Sequence, residues 1–277
     1  MPFFTTTNSE KSNPIDIYYE DFGTGKPIIL IHGWPLSHAM WEYQVPALVE
    51  NGYRVISYDR RGFGTSSRPY NGYDYNTMST DLKNLIDHLS LKDVILVGFS
   101  MGGGELARYV GQYGTANIEK LVFLSSIAPF MMKTESNKDG VPEKVFEEFK
   151  KNIKEDRLGF LKEFGNNFVN YDQNEDKVSD AQLHYNFALA ASALPKATLD
   201  CIDAFGKTDM RDDLKKIDVP TMFIHGTADE VVPPTPTAKQ GHEIVNGSRL
   251  EMIEGAPHGC VFTHTEKVNS LLLDFLK

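Results

Sequence analysis

The sequence predicts an α/β protein, in which a mostly parallel β-sheet carries helices on both faces and receives one helical insertion. Short apolar segments rich in β-branched residues alternate with helix-length amphipathic segments up to Leu124, and again from Val219 onward. A charged, helix-forming stretch separates these two parts, from Val141 to about Phe205. Alternation of this kind is typical of parallel strands joined by crossover helices.

Four short apolar segments in the first half predict buried strands, because each is continuous and rich in β-branched residues. They are Pro27–His32, Arg54–Tyr58, Val94–Gly98 and Ile118–Leu124. Apolar residues at helical spacing predict the intervening helices. These are Ala39–Glu50, which stops at an Asn-Gly pair typical of helix ends, Tyr75–Leu89 and Gly102–Tyr113.

The alternation stops near Pro129 and gives way to helical text with recurring phenylalanines. When it resumes, it predicts two strands and two helices, which are Val219–His225, Pro234–Val245, Arg249–Ile253 and Thr263–Leu276. No internal repeat or low-complexity linker separates the parts. The sequence therefore predicts one α/β core, formed by residues 1–128 and 206–277, with a helical cap at 129–205.

The composition is that of a globular protein and excludes several classes of function. Hydrophobic residues make up 41% of the chain, and the formal net charge of −10 argues against a nucleic-acid partner. No segment approaches the ~18–20 apolar residues of a membrane span. The start, MPFFTTTNSEKSNP, lacks the features of a signal peptide, and two cysteines provide no disulfide framework. We expect a cytoplasmic protein.

The segment Gly98-Phe99-Ser100-Met101-Gly102 matches G-x-S-x-G between a predicted strand and a predicted helix. In this context the serine lies on a sharp turn, where glycines two residues away on either side leave room for the backbone. The alternative is a glycine-rich turn whose serine only caps the helix. Residues 102–107 also fit a dinucleotide-binding pattern, but no acidic residue ends the following strand, which argues against NAD or FAD.

A nucleophilic serine requires a general base and an acid that orients the base, in the chain order Ser, Asp or Glu, His. Asp229 follows the predicted strand that ends at His225, and His258 follows the next strand. Glu230 and His264 are the alternatives, and we favour Asp229 and His258. No H-E-x-x-H or C-x-x-C pattern occurs, so no metal is expected.

Acyl transfer also requires hydrogen-bond donors for the oxyanion. The backbone amide of Met101 is one candidate, because it lies at a helix N-terminus next to Ser100. The amide of Trp34 is the second, because residues 32–35 form the loop after the first predicted parallel strand. Residues 59–64 follow another strand at the same edge, and we interpret them as a structural turn.

Five segments together resemble the α/β-hydrolase superfamily, in the order expected for it. They are HGWP, YDRRGFGTSS, VGFSMGGGELARY, HGTADEVVP and APHG. The resemblance extends from about Ile17 to Phe275. More narrowly, SMGGGE-A-RY, DRRGFG-S and HGWPL followed by WEYQ resemble the cofactor-free bacterial haloperoxidases. These are also called non-haem chloroperoxidases or bromoperoxidases, and aryl esterases are their close relatives.

The resemblance implies a serine enzyme that acts on small carboxylic acids or esters without haem, metal or flavin. In this family, hydrogen peroxide attacks the acyl-enzyme, and the released peracid oxidises halide in solution. Relatives form trimers or larger rings, so a homo-oligomer is also implied. Two alternatives stay open. One is an esterase or lactonase for which peroxide is incidental, and the other is a non-catalytic small-molecule receptor.

Several further residues are expected to shape the site. Pro35 restricts the backbone of Trp34 and would direct its carbonyl towards peroxide; in the resembled family, proline after the oxyanion residue is typical of perhydrolase-like members. Cys260, two residues after His258, would be exposed to peroxide if it faced the pocket. We expect an apolar acyl pocket, although part of its aromatic stripe could instead be cap core. Its predicted lining is Met131, Phe160, Phe164, Phe168 and Val231.

Overall fold

A computed structural model describes residues 2–6 and 14–277 of the chain. Residues 1 and 7–13, part of the N-terminal segment on which the expectation of no export signal depends, lie outside the described residues. The described residues contain eight strands, which form one sheet. They are β1 (Phe3–Thr6), β2 (Ile15–Phe22), β3 (Lys26–Ile31), β4 (Tyr53–Tyr58), β5 (Val94–Phe99), β6 (Ile118–Leu124), β7 (Thr221–Gly226) and β8 (Arg249–Ile253).

The strand order is β1-β2-β4-β3-β5-β6-β7-β8. Strands β3 to β8 pair in parallel, while β2 pairs antiparallel with both β1 and β4. This confirms the predicted mostly parallel sheet. The two antiparallel strands were not predicted, because β2 is only partly buried and contains charged residues within IDIYYEDF.

Three helices lie between strands in the first half of the sheet. They are α1 (Gln44–Glu50), α2 (Tyr75–His88) and α3 (Met101–Tyr113). The predicted helix Ala39–Glu50 is wrong as one element, because a separate 3₁₀ turn at His38–Trp41 precedes α1. Pro46 explains the interruption: it has no amide hydrogen, and its ring would collide with the carbonyl four residues earlier, so it fits only in a first helical turn.

Four of the helices described between β6 and β7 are α4 (Glu143–Val169), α5 (Tyr171–Asn174), α6 (Asp180–Ser192) and α7 (Pro195–Lys207). Inside α4, Asp156 has a non-helical backbone (φ −149°, ψ 88°), and its carboxylate accepts a hydrogen bond from the Gly159 amide at 2.9 Å. The predicted boundary between residues 205 and 206 falls inside α7, so the division into core and cap stays a prediction.

In the described chain, one further helix precedes β7 and three follow it. They are α8 (Arg211–Leu214), α9 (Gln240–Ile244), α10 (Cys260–Thr263) and α11 (Thr265–Leu276). The predicted helix Pro234–Val245 begins instead with a wide helical turn at Thr235–Lys239, and Thr263–Leu276 is divided between α10 and α11. In the described part of the chain, no helix is both long and apolar enough to span a membrane.

Parallel pairing places the carboxyl ends of β3, β5, β7 and β8 at one edge of the sheet. The loops that follow these strands carry Trp34, Ser100, Asp229 and His258, respectively. Open α/β sheets bind ligands at this edge. The fold therefore brings together four residues that are far apart in the sequence.

Candidate active site

The turn after β5 holds Ser100 in a strained backbone conformation, with φ 52° and ψ −119°. Such a φ is uncommon for a residue with a side chain. Glycine is required nearby because a Cβ on Gly98 would lie 2.6 Å from the Gly102 carbonyl oxygen, and one on Gly102 would lie 2.3 Å from the Ile31 carbonyl oxygen. The turn therefore presents the hydroxyl at the N-terminus of α3 as the sequence predicts.

The side chains of Ser100, His258 and Asp229 form a continuous hydrogen-bonded chain. Nε2 of His258 lies 2.9 Å from Oγ of Ser100, and Nδ1 of His258 lies 2.8 Å from Oδ2 of Asp229. All three side chains are buried. With its proton on Nδ1, the imidazole accepts the hydroxyl proton of Ser100 at Nε2, which is the arrangement that serine nucleophiles require.

The carboxylate of Asp229 is fixed by more than His258. Oδ1 accepts hydrogen bonds from the backbone amides of Val231 (3.0 Å) and Val232 (2.7 Å). Nε2 of His225, at the end of β7, lies 3.1 Å from Oδ2 and also donates to the Val232 carbonyl at 2.8 Å. Burial alone would raise the pKa of Asp229, but His258 and His225 outweigh it and hold this pKa well below its usual value. Asp229 is therefore ionised.

The ring of His258 is enclosed by the core and by α4. Its centroid lies 5.1 Å from that of Phe99 and 4.9 Å from that of Phe168. The end of α4 also contacts the two loops that carry the triad. The amide of Gly259 donates to the Phe168 carbonyl at 2.6 Å, and the Asn170 side chain donates to the Ala228 carbonyl at 3.1 Å. Position and orientation of the imidazole thus depend on the insertion.

The backbone amides of Trp34 and Met101 are the candidate oxyanion donors. Within residues 2–6 and 14–277, neither amide donates a hydrogen bond to another residue. The Trp34 ring is held by its indole nitrogen, which donates to the Thr198 carbonyl at 3.0 Å. Free amides next to Ser100 are available to a developing negative charge.

The turn at residues 59–64 supports the loop that carries Trp34. Arg60 donates to the His32 carbonyl at 2.9 Å and pairs with Glu105 of α3 at 2.7 Å, with both charges fully buried. Burial, reinforced by the charge of Arg60, lowers the pKa of His32 to about 3, so this ring stays neutral. Its Nε2 accepts a hydrogen bond from the Arg60 amide at 3.0 Å. These contacts support the interpretation of residues 59–64 as a structural turn.

A cavity of about 40 Å³, the inner cavity, opens onto Ser100 and His258. Three predicted pocket residues line it, Met131, Phe164 and Val231, together with Trp34. The sequence did not indicate the remaining lining residues, which are Ile127, Val141, Val145, Phe146, Phe149, Phe205 and Val232. A cavity needs roughly 10–15 Å³ to hold one water molecule, so the inner cavity has room only for a short acyl group.

Phe168, a predicted lining residue, and Pro35 border another cavity of about 20 Å³, which also contacts Phe164. Neither residue lines the inner cavity, and their part in substrate binding stays a prediction. Phe160 lines neither space and packs instead on Phe149 and Phe164, with ring centroids 5.2 and 5.9 Å apart. Residues four positions apart on a helix are rotated by about 40° around its axis, so Phe160, Phe164 and Phe168 do not all face the same space.

Cys260 does not line the inner cavity. It is fully buried, and its Sγ lies 3.4 Å from the hydroxyl oxygen of Ser125. Burial raises the pKa of this thiol to about 12, which keeps the sulfur protonated and unreactive. The expectation of a thiol exposed to peroxide therefore does not apply.

A second and larger space, the outer pocket, has a volume of about 530 Å³. It shares five lining residues with the inner cavity, and these are Val141, Val145, Phe149, Phe164 and Val231. Asn167, Asn170 and Glu230 add polar groups. The site therefore combines a narrow apolar cavity at the nucleophile with a wider, more polar space beside it. No group of three or more His, Cys, Asp or Glu in the described residues is arranged to hold a metal ion.

The family model of the alpha/beta hydrolase fold matches residues 26–265. A putative non-heme chloroperoxidase of Synechocystis sp. is 46% identical, with all of both chains covered. A bifunctional esterase/perhydrolase of Acinetobacter calcoaceticus is 35% identical, covering 95% of this chain and 96% of the relative. The crystal structure of a bromoperoxidase from Bacillus anthracis is 51% identical and superimposes with a TM-score of 0.93, covering 99% of each chain.

The chain is thus an enzyme of the α/β-hydrolase family, as its sheet order and its strand-to-helix serine turn indicate. Within that family it belongs to the non-heme haloperoxidases and their esterase relatives. The resemblance inferred from five short segments is confirmed over the length of the chain.

Proposed function

We propose that the enzyme is a cofactor-free, serine-dependent perhydrolase of the haloperoxidase type that also hydrolyses short-chain carboxylic esters. The observation that carries the proposal is the chain from Ser100 through His258 to Asp229, with separations of 2.9 and 2.8 Å, at the floor of a small apolar cavity. A nucleophile, a base and an orienting carboxylate in this order are what acyl transfer requires.

In the acylation step, Nε2 of His258 takes the hydroxyl proton as Oγ of Ser100 attacks the acyl carbon. The charge that develops on the carbonyl oxygen is stabilised by the amides of Trp34 and Met101. Asp229 keeps the imidazole in the productive tautomer and stabilises its charged form. The protonated imidazole then donates to the leaving oxygen, the bond to the alcohol or hydroxyl group breaks, and the acyl group stays on Ser100.

In the second step, His258 removes a proton from water or from hydrogen peroxide. Attack by water on the acyl-enzyme releases a carboxylic acid, and attack by peroxide releases a peracid. The peracid then transfers an oxygen atom to halide in solution, which yields hypohalite and the original acid. Pro35, which follows Trp34 in the oxyanion loop, supports the peroxide branch. That the Trp34 carbonyl points towards peroxide stays a prediction.

The test compares one variant in two reactions. Ser100→Ala is expected to abolish hydrolysis of 4-nitrophenyl acetate and also acetate-dependent bromination by peroxide, because both pass through the same acyl-enzyme. Thr115→Ala, at a half-exposed position between α3 and β6, shows whether a substitution outside the site affects either reaction. Bromination that survives Ser100→Ala, with hydrolysis lost, would contradict the common intermediate.

An esterase for which peroxide is incidental is the second candidate. The small inner cavity favours it equally, since the cavity selects the acyl group and not the attacking nucleophile. Partition of the acyl-enzyme between water and peroxide at fixed peroxide concentration separates the two candidates. We further propose that the enzyme forms a homo-oligomer, which sedimentation analysis tests.

A further inference from the structure

The outer pocket has one charged group on its wall. Of its eleven lining residues, ten are apolar, glycine or amide side chains, and Glu230 is the exception. The lining of the inner cavity contains no Lys, Arg, Asp or Glu. A substrate that occupies both spaces therefore meets a single fixed negative charge on the pocket walls.

The carboxylate of Glu230 is not neutralised by a neighbouring cation. Within residues 2–6 and 14–277, it has neither a hydrogen bond nor an ion pair, and the residue is exposed. Asp229, the preceding residue, is directed into the protein, where it contacts His258 and two backbone amides. The two adjacent acids therefore differ in role: Asp229 belongs to the triad, and Glu230 faces the pocket.

The relative sizes of the two spaces indicate which part of an ester each receives. The inner cavity, about 40 Å³, contacts Ser100 and holds a short acyl group only. The outer pocket, about 530 Å³, shares five walls with the inner cavity and has the volume of an ordinary ligand pocket. An alcohol portion too large for the inner cavity would fit the outer pocket.

We propose that the outer pocket binds the alcohol portion of the ester and that Glu230 makes the enzyme select neutral or cationic leaving groups over anionic ones. This specificity rests on the proposed serine-dependent esterase function. Glu230 is exposed, so water screens its charge, and the expected repulsion of an anionic leaving group is modest. The net charge of −10 acts in the same direction over longer distances.

The test uses three acetate esters that share a phenyl core: 4-acetoxybenzoate, its neutral methyl ester, and the cationic 4-acetoxy-N,N,N-trimethylanilinium. Their intrinsic reactivities differ, so the informative quantity is the ratio of variant to wild-type kcat/KM for each ester. Glu230→Gln is expected to raise the ratio about three- to tenfold for the anion, leave the neutral ester within about twofold and lower the ratio for the cation. Glu230→Lys extends the same trend.

Glu254→Gln is the matched control, because Glu254 is an exposed acid on the loop after β8 and lines neither space. It removes the same charge and is expected to leave all three ratios near one. Salt at 0.5 M should weaken the selectivity of the wild type but not that of Glu230→Gln. Equal ratios for all three esters in both Glu230 variants would overturn the proposal. Failure of the wild type to hydrolyse even the neutral ester would instead refute the esterase function.

Discussion

Replacement of His225 by leucine tests how firmly the carboxylate of Asp229 must be held. His225 is fully buried in β7, and its Nε2 contacts both Oδ2 of Asp229 and the Val232 carbonyl. Leucine fills a similar volume but offers no donor. Histidine to glutamine keeps an N–H group near the position of Nε2, so His225→Gln is the conservative comparison.

The expected magnitude follows from the number of donors. Asp229 has four: the amides of Val231 and Val232 at Oδ1, and His258 and His225 at Oδ2. A hydrogen bond to a charged group contributes about 1.5–3 kcal/mol. The two amides still fix Oδ1, so we assign about half of this free energy to the orientation of His258. That half corresponds to roughly a tenfold loss in kcat. Complete loss of the carboxylate in Asp229→Asn should cost about 10,000-fold.

The assay is steady-state hydrolysis of 4-nitrophenyl acetate, together with urea unfolding to report stability. We expect His225→Leu to lower kcat about tenfold with KM changed by less than about twofold, and His225→Gln to recover most of the activity. Met222→Leu, also buried in β7 but with no contact to the triad, should keep wild-type kcat. If His225→Leu keeps wild-type kcat, or if glutamine restores nothing, then His225 does not position Asp229.

Three further predictions concern the cavity, pH and the thiols. Met131→Ala enlarges the inner cavity, so the preferred ester should shift from acetate towards hexanoate in a chain-length series. The same change should lower the free energy of unfolding by about 2–5 kcal/mol. Burial alone would lower the pKa of His38, but its hydrogen bond to Asp59 raises this pKa above its usual value of 6.5. The pKa of Asp59 is correspondingly lowered below its usual value of 3.8. The ion pair therefore stabilises the folded protein fully at pH values between these two pKa values. In urea unfolding, the difference in free energy of unfolding between wild type and His38→Gln should shrink by about 1 kcal/mol as pH rises from 6 to 9. Cys201 and Cys260 are fully buried with pKa values raised to about 12 by burial, so iodoacetamide should label neither in the native protein, as mass spectrometry would show.

The controls for these three tests differ. Leu158→Ala, an exposed position on α4, should leave chain-length preference unchanged. A stability difference at His38 that grows with pH would reverse the sign argued from the ion pair. Rapid labelling of either thiol without urea would show that the core around it opens in the native state.

Local sequence patterns were enough to predict the fold class and the three residues that the fold joins by hydrogen bonds. Short continuous apolar runs mark the parallel strands, and Ser100, Asp229 and His258 each lie within five residues of the end of one. Local signals suffice here because parallel strands end at one edge of the sheet, whichever loops follow them. The strained turn at Ser100 was equally visible, since glycine is the residue that such a turn requires nearby.

Tertiary structure alone decided the shape of the pocket and the support of the triad. The break at Asp156 changes the phase of α4 between Phe149 and Phe160, and no period in the sequence reveals it. His225 reads as the last residue of a strand, and only folding brings its Nε2 to Asp229. Such contacts depend on packing between distant segments, where the direction of a side chain is fixed by neighbours that sequence spacing does not specify.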